Sequence, residues 1–268
     1  MPKVRAGNVT LNYEQQGGGP PLILIPYLAA DHACYAFQVQ AYSQHFTCIC
    51  LDLRGTGESD KPAGTYTTET LADDVAALME TIGLQSAHIS GLSLGAAAGM
   101  WLAAKYPQRV KSLSLHSGWH KTDSYMQTVV GSWQALARAL NSMHETIVQG
   151  ILPWCLTPDL YAQKPDYIAS IVQFVRSRPQ QPVDAFIQQT GAVLSHDISP
   201  RLAAIRAPTQ ITFGRHDAIT STRFAEPLQE AIRGAELHIF EDSSHAPLYE
   251  NVPAFNEATL AFLSKHSS

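Results

Sequence analysis

Three residues of this 268-residue chain could together activate a hydroxyl nucleophile, and they stand in the order serine, aspartate, histidine. Ser93 is the central residue of the pentapeptide Gly-Leu-Ser-Leu-Gly at positions 91–95, and Asp217 and His245 follow far downstream. A serine hydroxyl is a poor nucleophile at neutral pH unless a histidine takes its proton and a carboxylate orients that histidine. The pattern predicts attack by Ser93 on an acyl carbon, with His245 as the general base and Asp217 as its orienting acid.

The pentapeptide must lie on a sharp turn between a strand and a helix if its serine is to leave the sheet. Residues 87–90 form a short apolar run before it, and the small residues 96–99 after it favour a closely packed helix. Gly91 and Gly95 lack a Cβ, which lets the strand and the helix approach each other. This context predicts a nucleophile elbow, a sharp turn from strand to helix that exposes the serine. It favours that interpretation over a glycine-rich turn with a capping serine.

Asp217 and His245 each follow a stretch that predicts a strand, at positions 210–213 and 236–240. The end of a strand is where the acid and the base of such a triad belong. Asp123 and Asp242 are alternative acids, and Asp217 is favoured because its placement after a strand is better. His216 and His238 lie beside the same elements but do not occupy the loop position that the base requires.

Strands and helices alternate along most of the chain. Continuous apolar runs predict strands buried on both faces of a parallel sheet at 22–25, 48–52, 110–115 and 209–213. Residues 9–15 alternate between apolar and polar, which predicts an antiparallel edge strand. Residues 68–82 have helical spacing, with Thr68 as the expected N-cap. The fold class is therefore α/β, a mostly parallel, doubly wound sheet with helices on both faces.

The alternation breaks between residues 119 and 194, where aromatic residues are frequent, prolines recur and no strand pattern is found. This predicts a helical cap, 119–194, inserted into a core domain made of 1–118 and 195–268. Large apolar side chains of the cap would line a substrate pocket. The candidates are Trp119, Met126, Trp133, Trp154 and Phe174.

Composition excludes several classes of protein. The formal net charge of −5 and the lack of a basic patch argue against nucleic acid as a partner. The sequence has no run of 18 apolar residues, so no membrane span is predicted. The first five residues lack the apolar stretch of a signal peptide. We therefore expect a cytoplasmic protein. We expect the cysteine thiols to be buried and reduced. Cys48 and Cys50 lie in one strand, and we expect their side chains to point apart, to opposite faces of the sheet. The cysteines are Cys34, Cys48, Cys50 and Cys155.

The predicted chemistry needs neither a metal nor a cofactor. The compact pair Asp31 and His32 lacks a further ligand at the spacing of a metal site, so no metal is predicted. The expected partner is a small-molecule substrate, and the sequence leaves a homodimer open.

The motifs together resemble the α/β-hydrolase family over essentially the whole chain. They are Asp-Leu-Arg-Gly-x-Gly-x-Ser at 52–59, the pentapeptide at 91–95, Gly-x-x-Asp at 214–217 and Ser-His-Ala-Pro at 244–247. Within that family the chain is similar to small capped esterases and lactonases such as the 3-oxoadipate enol-lactonases. The closing segment 250–256, Glu-Asn-x-Pro-x-x-Phe-Asn, is also similar to that group.

One departure from the family pattern affects the oxyanion hole. The usual His-Gly after the second apolar run is replaced by Pro26 and Tyr27. The resemblance implies that the backbone N–H groups of Leu28 and Leu94 hold the oxyanion, and losing a glycine makes Tyr27 an alternative first donor. The Tyr27 side chain either shapes the site or packs under the cap.

The resemblance implies two-step hydrolysis of a small, mainly apolar carboxylic ester or lactone through an acyl-enzyme. Two alternatives remain open from the sequence. One is hydrolysis of a carbon–carbon bond in a dienoic diketone, although relatives of that kind carry a glycine-rich loop that is absent at 26–28. The other is a low-turnover receptor for a small molecule.

Overall fold

The computed structural model describes residues 2–267, and within them eight strands form one sheet. The strands are β1 (Lys3–Ala6), β2 (Val9–Gln16), β3 (Pro21–Ile25), β4 (Thr47–Leu51), β5 (Ala87–Leu92), β6 (Val110–His116), β7 (Thr209–Gly214) and β8 (Glu236–Phe240). Their order across the sheet is β1-β2-β4-β3-β5-β6-β7-β8. β1 and β2 run antiparallel to their neighbours and all other pairs are parallel, which confirms the predicted fold class.

Helices cover both faces of the sheet. They are α1 (Ala36–Tyr42), α2 (Thr68–Thr81), α3 (Leu94–Lys105), α4 (Ser124–Leu140), α5 (Met143–Thr146), α6 (Leu152–Cys155), α7 (Pro158–Gln163), α8 (Pro165–Ser177), α9 (Val183–Leu194), α10 (Ala225–Ala231), α11 (Pro247–Glu250) and α12 (Val252–Lys265). Within residues 2–267 no helix is both long and apolar enough to cross a membrane.

The central strands separate two apolar clusters, because successive side chains of a strand point to opposite faces. Ile23 and Ile25 of β3 belong to one cluster, and Leu22 of the same strand belongs to the other. Cys48 and Cys50 of β4 both lie in that second cluster. The expectation that these two thiols point apart is therefore wrong, since residues two apart in a strand share a face.

Two further details differ from the sequence predictions. β1 was not expected, because it is short and only its last residue, Ala6, is buried. The N-cap of α2 is Thr67 rather than Thr68: the Thr67 hydroxyl accepts a hydrogen bond from the backbone N–H of Thr70, at 3.0 Å. Thr68 is buried and its hydroxyl bonds His196 instead, at 2.7 Å.

The chain between β6 and β7 contains six α-helices, α4 to α9, and all of them lie within residues 119–194, the segment predicted as the cap. The chain enters and leaves the cap side by side. Thr122 donates its backbone N–H to the His196 carbonyl at 3.0 Å, and Ile198 donates to the His120 carbonyl at 2.8 Å. The division of the chain into core and cap domains remains a prediction.

Candidate active site

Ser93 lies at the junction of β5 and α3 in a strained backbone conformation. Its φ of 53° and ψ of −115° are rarely adopted by a residue with a side chain, and such strain is concentrated at functional sites. A Cβ added to Gly95 would collide with the Ile25 carbonyl, and one added to Gly91 would collide with Gly95. The Ser93 side chain makes no capping hydrogen bond to α3, so the alternative of an ordinary capping serine is not what this turn contains.

Asp217 follows β7 and holds the imidazole of His245, which follows β8. The distance from Asp217 Oδ2 to His245 Nδ1 is 2.9 Å. The other carboxylate oxygen accepts the backbone N–H groups of Ile219 at 2.8 Å and Thr220 at 3.1 Å, and the Thr220 hydroxyl donates to Oδ2 at 2.7 Å. The buried carboxylate is therefore hydrogen-bonded at both oxygens.

The electrostatics keep Asp217 ionised and fix the tautomer of His245. Burial raises the pKa of the Asp217 carboxyl, but the facing imidazole and the surrounding hydrogen bonds lower it more, so its pKa lies below the ordinary value. An ionised carboxylate only accepts hydrogen bonds, so Nδ1 of His245 carries the hydrogen. The remaining nitrogen, Nε2, is then the one that can accept a proton from a nucleophile.

The loop that carries His245 is bonded to both the core and the cap. The Ser117 hydroxyl, beyond the end of β6, donates to the His245 carbonyl at 2.9 Å. On the other side, the backbone N–H of Ala246 donates to the Cys155 carbonyl of the cap at 3.1 Å.

A half-buried carboxylate adds a second connection between this loop and the cap. Glu250 accepts the backbone N–H of Ser244, the residue before His245, and with its other oxygen the backbone N–H of Thr157 at 2.6 Å. Burial raises the pKa of Glu250. We call this arrangement the Glu250 clamp. Sequence reasoning recognised Glu250 only as part of a family motif, since no local pattern places Thr157 beside it.

The segment 26–30 lies against the start of α3, where a developing oxyanion would sit. Ala30 donates its N–H to the Tyr27 carbonyl at 3.2 Å, and Ala29 has a φ of 61°, so the chain makes a tight turn here. The Tyr27 N–H is directed at the Cys34 thiol. Gln189 of the cap accepts the N–H of Ala29 at 3.3 Å. Of the residues in this turn, Leu28 is left as the better candidate for the first oxyanion donor.

A cavity of about 260 Å³ opens between the cap and the core, and both Ser93 and His245 line it. Its wall is mostly apolar. The predicted pocket residues on this wall are Tyr27, Trp119, Met126, Trp133 and Phe174, together with Leu28 of the oxyanion turn. Trp154 was also expected here, but its side chain is exposed and lies outside the cavity wall. Its neighbours Leu152 and Cys155 line the cavity instead, because a short helix presents only one side inward.

Sequence reasoning missed a large part of this wall. The apolar residues that it did not single out include Phe37, Val130, Met143, Ile151, Leu156, Ile171, Ile219 and Tyr249. A periodic apolar pattern distinguishes the inner face of a helix from its outer face, but it does not tell core from pocket. The one oppositely charged pair on the described wall is Asp31 with Arg178, joined at 2.8 Å.

The rival residues have other surroundings. Asp123 is the N-cap of α4, accepting the Met126 N–H at 2.8 Å, and it also pairs with Arg223 at 2.9 Å. Asp242, His216 and His238 are exposed. None of them forms a buried carboxylate–imidazole pair beside the cavity, as Asp217 and His245 do.

Asp52 completes a compact group with Asp31 and His32, so the expectation that this pair lacks a third nearby ligand is wrong. Potential ligand atoms of the three residues lie within 4.8 Å of one another. Sequence spacing could not show this, since Asp52 comes from the end of the neighbouring strand. Asp52 already accepts from the ring and the backbone N–H of His32, both at 2.7 Å, and Asp31 pairs with Arg178. The three residues are therefore engaged in hydrogen bonds and ion pairs with one another and with Arg178.

The sheet order, the strained serine after β5 and the capped cavity define the class of this protein. The chain belongs to the family described as the alpha/beta hydrolase fold, whose profile matches residues 20–252. It is a hydrolase of that family.

Individual relatives match along nearly the whole chain. A protein of Azorhizobium caulinodans provisionally assigned as the carbamate hydrolase RutD is 26% identical, covering 98% of this chain and 98% of its own length. The 3-oxoadipate enol-lactonase 2 of Acinetobacter baylyi is 27% identical, covering 97% of this chain and 95% of its own length. The crystal structure of the enol-lactonase from Burkholderia xenovorans LB400 superposes with a TM-score of 0.89 at 28% identity, covering 98% of this chain and 100% of that one.

Proposed function

We propose that this protein hydrolyses a small, neutral, mainly apolar carboxylic ester or lactone through an acyl-enzyme on Ser93. The observation that carries the proposal is the buried Asp217–His245 pair, joined at 2.9 Å, whose histidine lines the same cavity as Ser93, a serine with a strained backbone. The enol-lactonase relatives support hydrolysis of a lactone.

In the first step His245 Nε2 takes the proton of the Ser93 hydroxyl as its oxygen attacks the substrate carbonyl carbon. The imidazolium that forms faces the ionised Asp217 carboxylate. The His245 imidazolium then gives its proton to the leaving oxygen as the bond from that oxygen to the carbonyl carbon breaks. In the second step His245 takes a proton from water, the hydroxide attacks the acyl-enzyme, and the proton returns to Ser93.

The negative charge of each tetrahedral intermediate needs hydrogen-bond donors that are already in place. Leu94 is the first residue of α3, where backbone N–H groups have no partner within the helix and the helix dipole favours an anion. Leu28 is the other proposed donor, from the turn at 26–30 that lies against the start of α3. A backbone donor does not depend on the side chain, which is why Pro26 and Tyr27 can replace the usual His-Gly.

The cavity favours a neutral substrate of modest size. Its volume of about 260 Å³ lies below the range of about 300–1,000 Å³ that is usual for drug-sized ligands. Asp31 and Arg178 neutralise each other on its wall, so an ionised substrate would gain no unpaired counter-charge there while losing its hydration.

A panel of p-nitrophenyl esters and simple lactones of graded chain length tests the proposal. We expect several esters or lactones of the panel to be turned over. Shorter neutral esters should be preferred over esters that also carry a free, ionised carboxylate. The proposal is wrong if no ester or lactone is turned over. Tight binding of a small molecule without turnover would favour the receptor, and cleavage confined to a dienoic diketone would favour the carbon–carbon hydrolase.

A further inference from the structure

Two tyrosines that line the cavity are hydrogen-bonded through their hydroxyls, one from the turn at 26–30 and one from the segment after His245. Tyr27 Oη and Tyr249 Oη are 2.8 Å apart, and their rings meet edge to face with centroids 6.4 Å apart. Both residues line the cavity and keep part of their surface accessible although protein atoms surround them deeply. That accessible surface therefore faces the cavity.

The proton order in this pair is fixed by a third group. Tyr249 Oη lies 2.8 Å from the backbone carbonyl of Cys34, and a carbonyl oxygen can only accept. The single hydroxyl hydrogen of Tyr249 is therefore directed at Cys34, which leaves Tyr27 as the donor in its bond to Tyr249. The hydrogen-bond chain runs from Tyr27 to Tyr249 to the Cys34 carbonyl.

This order leaves Tyr27 Oη with lone pairs that can accept a hydrogen bond, and its own hydrogen is already donated to Tyr249. Burial is the main cause that raises the pKa of the Tyr27 phenol well above its ordinary value, so the group stays protonated and accepts hydrogen bonds rather than protons. An acceptor at this position discriminates between substrates, since a group that donates a hydrogen bond is satisfied there and a carbonyl oxygen is repelled.

We infer that Tyr27 Oη is a specificity-determining acceptor for a hydrogen-bond donor on the substrate, an amide N–H or a hydroxyl close to the scissile carbonyl. The inference rests on the proposed function and narrows its substrate class: among neutral esters of equal size, those with a donor near the ester carbonyl are preferred. Tyr27 is adjacent to Leu28 in the chain, and both residues line the same cavity as Ser93.

Two isosteric esters test this directly. Ethyl N-acetylglycinate and ethyl 4-oxopentanoate differ by one N–H in place of one CH₂, and acid release gives kcat/KM for both without a chromogenic leaving group. We expect wild-type enzyme to prefer the N–H ester by about 10-fold, the worth of one hydrogen bond in a partly enclosed site. Tyr27→Phe should bring the ratio close to one.

Tyr167→Phe is the matched control. Tyr167 also lines the cavity, but its hydroxyl donates to the Tyr249 carbonyl at 2.9 Å, so its removal should leave the ratio near the wild-type value. Equal kcat/KM for the two esters in the wild type, or an unchanged ratio in Tyr27→Phe, overturns this inference and leaves the ester hydrolase standing. Failure of the wild type on both esters and on p-nitrophenyl acetate overturns the proposed function and this inference with it.

Discussion

At the scale of single residues, Asp217 is the group on which the proposed roles of Ser93 and His245 depend. A buried carboxylate is costly unless its hydrogen bonds are satisfied, and Asp217 is satisfied by His245, Thr220 and Ile219. The same bonds keep it charged, and the charge selects the His245 tautomer with its hydrogen on Nδ1. An amide in its place would fit the space but would neither select that tautomer nor stabilise the imidazolium.

We expect Asp217→Asn to lower kcat/KM for p-nitrophenyl acetate by a factor on the order of 10⁴. Asp123→Asn is the matched control, because Asp123 is the alternative acid and because asparagine also caps helices well. That control should stay within about threefold of wild type, as exposed ion pairs such as Asp123–Arg223 contribute little. Equal losses in the two variants, or a larger loss at Asp123, would assign the acid wrongly.

At the scale of elements, the cap and the core are joined where the chemistry takes place. The Glu250 clamp and the Ala246–Cys155 bond connect the loop of the general base to the cap, and the bond from Ala29 to Gln189 connects the oxyanion turn to it. The cap is therefore bonded both to the loop of His245, the proposed general base, and to the turn of Leu28, the proposed oxyanion donor.

The clamp gives a prediction for Glu250→Gln. Glutamine keeps the volume but can accept only one of the two backbone N–H groups, so either Ser244 or Thr157 is left with a buried unpaired donor. We expect kcat for p-nitrophenyl acetate to fall about 10-fold with little change in KM. Glu241→Gln, an exposed glutamate on the same loop that pairs with Arg215, is the control and should be nearly silent. A lower melting temperature with unchanged kcat would limit the clamp to a structural role.

The cap also gives a prediction about substrate choice. Trp133 is buried on the cavity wall and Trp154 is exposed outside it, so they form a matched pair. Trp133→Ala should change the order of activities along a series of acyl chain lengths, because the removed ring leaves room worth roughly 2 kcal/mol of apolar contact. Trp154→Ala should preserve that order. A uniform loss for all chain lengths together with a large fall in melting temperature would make Trp133 a core residue only.

The elements also show what a single sequence can and cannot reveal. The elbow at 91–95 was predictable because the strand, the glycines and the helix are adjacent in the chain. The exposure of Trp154 and the Glu250 clamp could not be predicted in this way. They depend on which side of short, irregular cap helices faces the core, and on contacts between segments about 90 residues apart, which no local period encodes.

At the scale of the whole molecule, stability depends on histidines that are held neutral in the interior. Burial lowers the pKa of His88 to about 4, of His116 to about 3 and of His196 to about 4. His196 is hydrogen-bonded on both sides, to the Thr68 hydroxyl at 2.7 Å and the Trp119 carbonyl at 3.0 Å. Such groups bind a proton in the unfolded chain before they do so in the folded one.

The sign of the pH dependence follows from these lowered values. The stabilisation is complete above the ordinary histidine pKa of about 6.5 and is lost as the pH falls from there toward 4, at up to about 1.4 kcal/mol per pH unit for each histidine. We expect the melting temperature of the wild type to fall as the pH is lowered over that interval. The melting temperature of His196→Gln should fall less steeply. A melting temperature that is flat between pH 6.5 and 4.5, or equal slopes in both proteins, would contradict this account.

The nucleophile is the central claim, and covalent labelling tests it most directly. Wild-type protein treated with an alkyl fluorophosphonate should gain one phosphonyl group per chain by intact-mass measurement, mapped to Ser93 in the peptide that contains residues 91–95. Ser93→Ala should gain none, keep its melting temperature, and lose ester turnover by a factor on the order of 10⁴ or more. A label on another residue, or a Ser93→Ala variant that retains more than a tenth of wild-type activity, would contradict the assignment.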